Sequence, residues 1–227
     1  GFSGSPWTLA CYMVDGSSAD DFRHAKTMMF SRPDLMQHIL DINAQSVADY
    51  LIEQVKAGAQ ALMIFDTWGG MLPDGWYQTM SLAAMQKVIA LLPREFEGQR
   101  IPVIMFTKGG GIWLNDMSQV GADVIAIDWT MSLSKARNQL LAMGKPLALQ
   151  GNLDPLILFS EPEQIAKQAS LLLDDLATAP ALKPGLHPLD GHIFNLGHGI
   201  SQFTPPESVS VLAETVINHS KALRSKH

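Results

Sequence analysis

The sequence predicts a parallel α/β fold and, within that class, a (β/α)8 TIM barrel, on three observations. Several short runs are apolar throughout rather than alternating, as strands of a covered parallel sheet are. A helical pattern follows each run before the next begins, the order that right-handed crossovers require. Polar or glycine residues gather where each run stops, where barrel active sites are built, and no Gly-x-Gly-x-x-Gly turn opens a dinucleotide-binding half. The expectation is one partial barrel domain over residues 1–227, with about six strands where eight close a barrel.

Taken in order, the opening GFSGSPWTL reads as a structured turn that supplies a sixth apolar run. Helices follow over residues 20–30 and 34–57. Ser31-Arg32-Pro33-Asp34 introduces the second: Ser31 to accept an early N–H, Pro33 lacking a donor that would be orphaned, Asp34 suiting the helix dipole. Leu35, Ile39, Ile42, Val47, Leu51 and Val55 make its apolar stripe, and Gly58 ends it.

A strand over 61–65 precedes a loop through Met71 to Gly75 and a helix over 81–92. The next unit is a strand over 103–106, the triplet Gly109-Gly110-Gly111 and a short helix to Val120. Strand 124–127 leads to a helix that Ser132 or Ser134 starts, and strand 147–149 to a helix opened by the capping box Ser160-Glu161-Pro162-Glu163. Residues 177–189, with Pro180, Pro184, Gly185 and Pro188, read as a surface loop. His192–Leu196 is expected as a buried strand, followed by a second capping box, Thr204-Pro205-Pro206-Glu207, and a last helix to Leu223.

Composition narrows the function. Charged residues are 17% of the chain and hydrophobic ones 47%, so much surface is to be buried, since an average domain is roughly 25% charged. A formal charge of −6 without a basic run argues against nucleic acid and anionic membrane as partners. Cys11 is the only cysteine, which excludes an internal disulfide and a Cys-rich zinc site and suits a reducing cytoplasm. No apolar run reaches the length of a membrane span, and no signal-peptide pattern is seen. Because Gly1 stands inside a structured motif with no initiator Met, further sequence upstream is expected.

The strand ends hold the residues that could carry chemistry. His198, between Gly197 and Gly199, is a candidate proton donor, ligand or anchoring hydrogen bonder, against the bland reading of a loop histidine. Asp66 and Thr67 follow one strand; for Asp66 the alternative is a loop-fixing carboxylate. Asp128 and Asp154 resemble an acid–base pair, but Asn152-Leu153-Asp154-Pro155 also reads as an Asx turn, the favoured role for Asp154. Lys108 before three glycines could meet an anion, although the Walker pattern is absent. Tyr12 could donate a phenolic hydrogen bond, with core packing favoured on its own residues. His192, at a strand entrance, is read as structural.

GFSGSPWTLACYMVDG, GAQALMIFDTWGG, GADVIAIDWT, LQGNLDP and FNLGHGI, in that order, resemble the uroporphyrinogen decarboxylase family from Gly1 to the last helix. The resemblance implies a distorted (β/α)8 barrel, a homodimer and no cofactor, and no metal is expected because the sequence offers no cluster of ligand residues. Its implied reaction removes carbon dioxide from the four acetates of uroporphyrinogen III to give coproporphyrinogen III, in haem and chlorophyll synthesis. By position, Tyr12, Thr67 and His198 match the family's substrate-contacting tyrosine, serine or threonine, and histidine, and Phe2 a pocket phenylalanine. The family's arginine-rich segment and central aspartate have no match here. The resemblance therefore puts no catalytic residue in this chain, which is expected to be the C-terminal two-thirds of such an enzyme, inactive alone. Alternatives are a corrinoid-dependent methyltransferase of the same barrel type, against which the single Cys11 speaks, and an inert tetrapyrrole-binding fragment.

Overall fold

The computed structural model describes residues 1–16 and 21–225, so Asp20, the expected first residue of a helix, lies outside the described residues. The chain divides into two compact bodies, Gly1–Ile125 and Ala126–His227.

The first body opens with β1 (Phe2–Gly4) and α1 (Pro6–Asp15), then α2 (Arg23–Ser31) and α3 (Pro33–Lys56). The run GFSGSPWTL is thus a strand joined directly to a helix, and the helix went unpredicted. Its signals are present: Ser5 caps it by accepting from Thr8 N at 3.0 Å, proline fills the first turn, and Gly16 ends it at a left-handed φ of 78°. Ser31 does not cap α3. It closes α2 instead, its hydroxyl donating to the Thr27 carbonyl at 2.7 Å, and Arg32 takes the cap position with no side-chain bond. The stripe of α3 is also displaced in its first turns, where Met36 and Leu40 are buried while Leu35 and Ile42 are 41% and 52% exposed. From Val47 through Leu51 to Val55 it runs as expected.

Next come β2 (Leu62–Asp66), a π-helical turn over Tyr77–Leu82 continuous with α4 (Ala83–Leu91), a small hairpin of β3 (Glu95–Phe96) and β4 (Gln99–Arg100), and β5 (Val103–Thr107). α5 (Leu114–Met117) and β6 (Val124–Ala126) follow. β2 pairs in parallel with β1, from Phe2↔Met63 to Gly4↔Phe65, and with β5, from Leu62↔Val103 to Asp66↔Thr107. All three therefore deliver their C-terminal residues to one end.

The second body contains α6 (Leu133–Ala142), β7 (Ala148–Leu153), α7 (Pro162–Ala177), β8 (His192–Leu196) and α8 (Pro206–Arg224). Ser132 caps α6 as expected, accepting from Lys135 N. Neither capping box forms. Pro162 and Pro206 occupy the first helical positions, making Glu161 and Pro205 the caps and leaving Ser160 and Thr204 one residue too early. β7 runs four residues beyond the expected 147–149, pairing in parallel with β8 from Leu149↔His192 to Leu153↔Leu196. β8 is not the buried strand expected: Ile193 and Asn195 are exposed while His192, Phe194 and Leu196 are half-buried. Phe194 and Leu196 pack on the cluster Leu153, Leu158, Ile165, Ala169 and Leu212. The α/β alternation expected from the sequence is what the chain adopts, with six principal strands among the described residues.

Arg137 of α6 is wholly buried with no carboxylate on its guanidinium among the described residues, donating instead to the carbonyls of Pro180, Pro188, Asp190 and Gly191 at 3.3–3.5 Å. It thereby pins the segment before β8. Arg137→Met is expected to lower stability by about 2–4 kcal/mol, because the carbonyls lose their donor in a dry site. A thermal melt superimposable on the parent's would show the clamp to be dispensable.

Candidate functional site

In the first body the end of β2 turns sharply through Asp66-Thr67-Trp68-Gly69-Gly70. Asp66 is completely buried and accepts four hydroxyl bonds, from Ser5 (2.6 Å), Thr8 (3.2 Å), Ser81 (2.6 Å) and Thr107 (3.2 Å). Burial raises its carboxyl above the ordinary range, and each hydroxyl pulls it back down. The loop-fixing reading of Asp66 is therefore the one its geometry supports: it ties the β1–α1 corner, the π-turn and β5 to one carboxylate.

The glycines after it are required by space. A Cβ on Gly69 would stand 1.8 Å from Asp66 Oδ2, and one on Gly70 2.0 Å from the Lys108 carbonyl oxygen. With hydrogens there, the turn folds back over Asp66 and Trp68 meets α1 at three points. Its N–H donates to Thr8 Oγ1 (3.3 Å), its carbonyl accepts from Trp7 Nε1 (3.2 Å), and its indole N–H donates to the Tyr12 hydroxyl (2.9 Å). Phe22 lies against the Trp68 ring with centroids 4.8 Å apart.

Tyr12 is not core. It is 37% exposed, with its hydroxyl at the Trp68 turn. Thr67, half-buried, stands between Asp66 and Trp68. Phe2 is 65% exposed on β1 and meets Phe65 edge-on at 5.9 Å, and Phe65 meets Phe106 at 6.2 Å. Phe2, Tyr12 and Thr67 are thus all on the first body, Tyr12 bonded to the residue beside Thr67. Lys108 is half-buried just beyond β5, its N–H donating to the Asp66 carbonyl at 3.1 Å.

The remaining candidates belong to the second body. Asp128 closes a local turn, accepting from Thr130 N at 3.1 Å, and Asn152 donates to the Asp128 carbonyl at 2.7 Å. Asp154 accepts from Leu156 N at 2.9 Å, the turn-fixing role expected of it. Gly197 packs on the Asp128–Trp129 backbone, and the half-buried His198 follows directly. A cleft of about 340 Å³ is lined by Trp129, Asn152, Asp154, Gln168 and Asp175 among others; its two carboxylates make it a poor seat for an anion.

His192 donates its Nε2 proton to the Gly151 carbonyl at 2.8 Å, and burial lowers its pKa to about 4. This supports the structural reading. Since an unfolded histidine titrates near 6.5, the unfolded chain binds the proton first as pH falls. Stability is expected to be full above that value and to decline between about pH 6.5 and 4, by up to roughly 3 kcal/mol. His192→Gln should flatten this part of the stability–pH curve; an unchanged slope would assign the proton elsewhere.

Among the described residues no three His, Cys, Asp or Glu side chains gather where a metal could be held. Cys11 is buried, and burial pushes its thiol far up, away from thiolate chemistry. No helix among the described residues is long and apolar enough to cross a membrane.

Sequence reasoning missed Trp68 and the hydroxyl cage. Ser5, Thr8, Ser81 and Thr107 share no spacing or motif; only the fold brings them together. The one available signal was the adjacent Gly69-Gly70, which marks a close backbone approach.

The uroporphyrinogen decarboxylase family model matches residues 1–219. The uroporphyrinogen decarboxylase of Cupriavidus metallidurans is 58% identical over 225 residues, which are 99% of this chain and 59% of that protein. That of Ralstonia nicotianae is 57% identical over 226 residues, 100% of this chain and 59% of the relative. The chain thus spans about three-fifths of the length of these relatives. Among solved structures, a methyltransferase from Methanosarcina mazei superposes with a TM-score of 0.73 at 20% identity, covering 96% of this chain and 58% of that one, a likeness of fold alone.

Proposed function

The chain belongs to the uroporphyrinogen decarboxylase family, and on that premise we propose that the complete protein converts uroporphyrinogen III to coproporphyrinogen III. The observation that carries this is identity of 56–58% to proteins of that name across essentially the whole chain. In each of four steps the bond between an acetate methylene and its carboxylate breaks, carbon dioxide leaves, and a proton takes its place to give a methyl. Protonation of the adjoining pyrrole turns the ring into an acceptor for the electron pair, and the ring releases that proton once the methyl has formed, so no cofactor need take part. A buried anion would stabilise the ring cation that forms.

Tyr12, Thr67 and His198 act in this proposal as hydrogen-bonding groups for the macrocycle or its side-chain carboxylates, with Phe2 as an apolar wall. Placement of Tyr12 and Thr67 at the Asp66–Gly70 turn, beyond the C-terminal end of β2, supports the reading, because barrels build sites at that end of their strands. The 227 residues are taken as one barrel domain, acting in the cytoplasm as part of a homodimer. A corrinoid-dependent methyltransferase is not favoured, since Cys11 is buried and belongs to no group of three possible metal ligands among the described residues.

The test is incubation of the complete protein, as its own coding sequence encodes it, with uroporphyrinogen III under reducing conditions, followed by separation of products by carboxyl number. Seven-, six-, five- and four-carboxyl products are expected in succession. Recovery of unchanged substrate from folded protein would sink the proposal. Tyr12→Phe and His198→Asn should each cost about ten- to a hundredfold in turnover while leaving the melting temperature in place, the equivalent of one buried hydrogen bond of roughly 1–3 kcal/mol. Full activity in both variants would put the pocket elsewhere.

A further inference from the structure

We infer that Trp68 is a positioning residue that fixes the direction of the Tyr12 hydroxyl proton, so that Tyr12 meets the substrate as a donor to a carboxylate and not as an acceptor from a pyrrole N–H. This rests on the reading of Tyr12 as a substrate contact and specifies what kind of contact it makes.

The indole nitrogen can only donate. Its bond to Tyr12, at 2.9 Å, therefore fills an acceptor position on the phenolic oxygen. Conjugation with the ring holds a phenolic O–H near the ring plane, leaving it two in-plane directions. Once the indole N–H occupies one, the hydroxyl proton takes the other. Among the described residues that proton has no protein acceptor, the Trp68 contact being the hydrogen bond of this hydroxyl. Tyr12 is also 37% exposed, so an incoming ligand can reach it.

Trp68 is itself immobilised by its backbone bonds to Thr8 and Trp7 and by the Phe22 ring at 4.8 Å, so the direction of its N–H is set by the fold. Thr8 also donates to Asp66 at 3.2 Å, which extends this fixed chain to the buried carboxylate. A pre-aimed donor of this kind favours an anionic acceptor, because a hydrogen bond to a charged group is about twice as strong as a neutral one. Carboxylates are the anions that this substrate carries.

Trp68→Phe removes the N–H and keeps an aromatic ring, though a smaller one, beside Phe22. In the complete protein, Tyr12→Phe is expected to lower kcat/KM about tenfold, and Trp68→Phe about three- to tenfold, by releasing the hydroxyl to rotate. The double variant should be no worse than Tyr12→Phe alone, since Trp68 acts through that oxygen. Trp68→His, which restores an N–H on a flat ring, should recover part of the loss. Melting curves run in parallel separate folding from function, because a merely structural role for Trp68 would lower the melting temperature equally whether or not Tyr12→Phe is also present.

Multiplying losses in the double variant, or no loss in Trp68→Phe, would overturn the inference while leaving Tyr12 as a contact. Unchanged kcat/KM in Tyr12→Phe would remove the contact itself and this inference with it. Absence of turnover in the folded parent protein would sink the proposed function instead, and that outcome is read before any variant is made.

Discussion

Asp66→Ala is expected to destabilise the first body by about 3–5 kcal/mol, a fall of roughly 10 °C or more in melting temperature. The carboxylate is fully buried and is the shared acceptor of Ser5, Thr8, Ser81 and Thr107. Alanine leaves those hydroxyls facing a dry hole, adding a cavity penalty to their lost bonds. Activity should fall with stability, because Thr67 and Trp68 leave the strand immediately after Asp66. Asp66→Asn is the informative control. It keeps the volume, and since hydroxyls both donate and accept they can rotate to satisfy an amide, so most of the stability should return. Calorimetry on the two variants decides the matter: an alanine variant that melts with the parent would mean that packing alone holds this corner.

Gly197→Ala should have the largest effect on the second body's candidate, His198. A Cβ at this position would lie 2.8 Å from Trp129 Cε3, 2.9 Å from the Trp129 nitrogen and 3.0 Å from Asp128 Cα. Two of these are backbone atoms that cannot swing aside. The strand end must move, costing about 1–3 kcal/mol, and His198, the next residue, moves with it. Because displacement of a contact by an ångström can cost on the order of a hundredfold in rate, turnover should drop ten- to a hundredfold while the protein remains folded. Gly199→Ala is the matched comparison, since a Cβ there meets nothing within 4 Å. Equal activity in the two alanine variants would show that His198 tolerates displacement or is not a contact.

Local chemistry wrote much of this structure into the sequence. Largely apolar runs at 61–65, 103–106 and 192–196 place β2, β5 and β8 to within a residue, since four or five such residues stopped by a glycine or a polar residue are too short for a helix. Gly58, Gly121 and Gly144, each at positive φ, fall where helices or strand approaches had to turn. Ordered motifs carried the family, and Tyr12, Thr67, Phe2 and His198 were named from them. Caps were less legible. Ser31, Ser160 and Thr204 had the right chemistry, but whether a residue caps a helix depends on where its neighbours' dihedrals change, and in all three cases a proline two residues on took the first helical position and moved the cap to the residue between.

Composition, period and motif thus determined by themselves the parallel α/β class, most strand positions and the candidate contacts, because each depends on residues close in sequence. Tertiary structure alone decided that Tyr12 is presented rather than packed away, that the Trp68 indole donates to the Tyr12 hydroxyl, and that Asp66 is a buried joint. Those three facts depend on hydrogen bonds between residues 15 to 61 positions apart. No local propensity encodes such a pairing; it exists only once parallel strands have carried their C-terminal ends to one place.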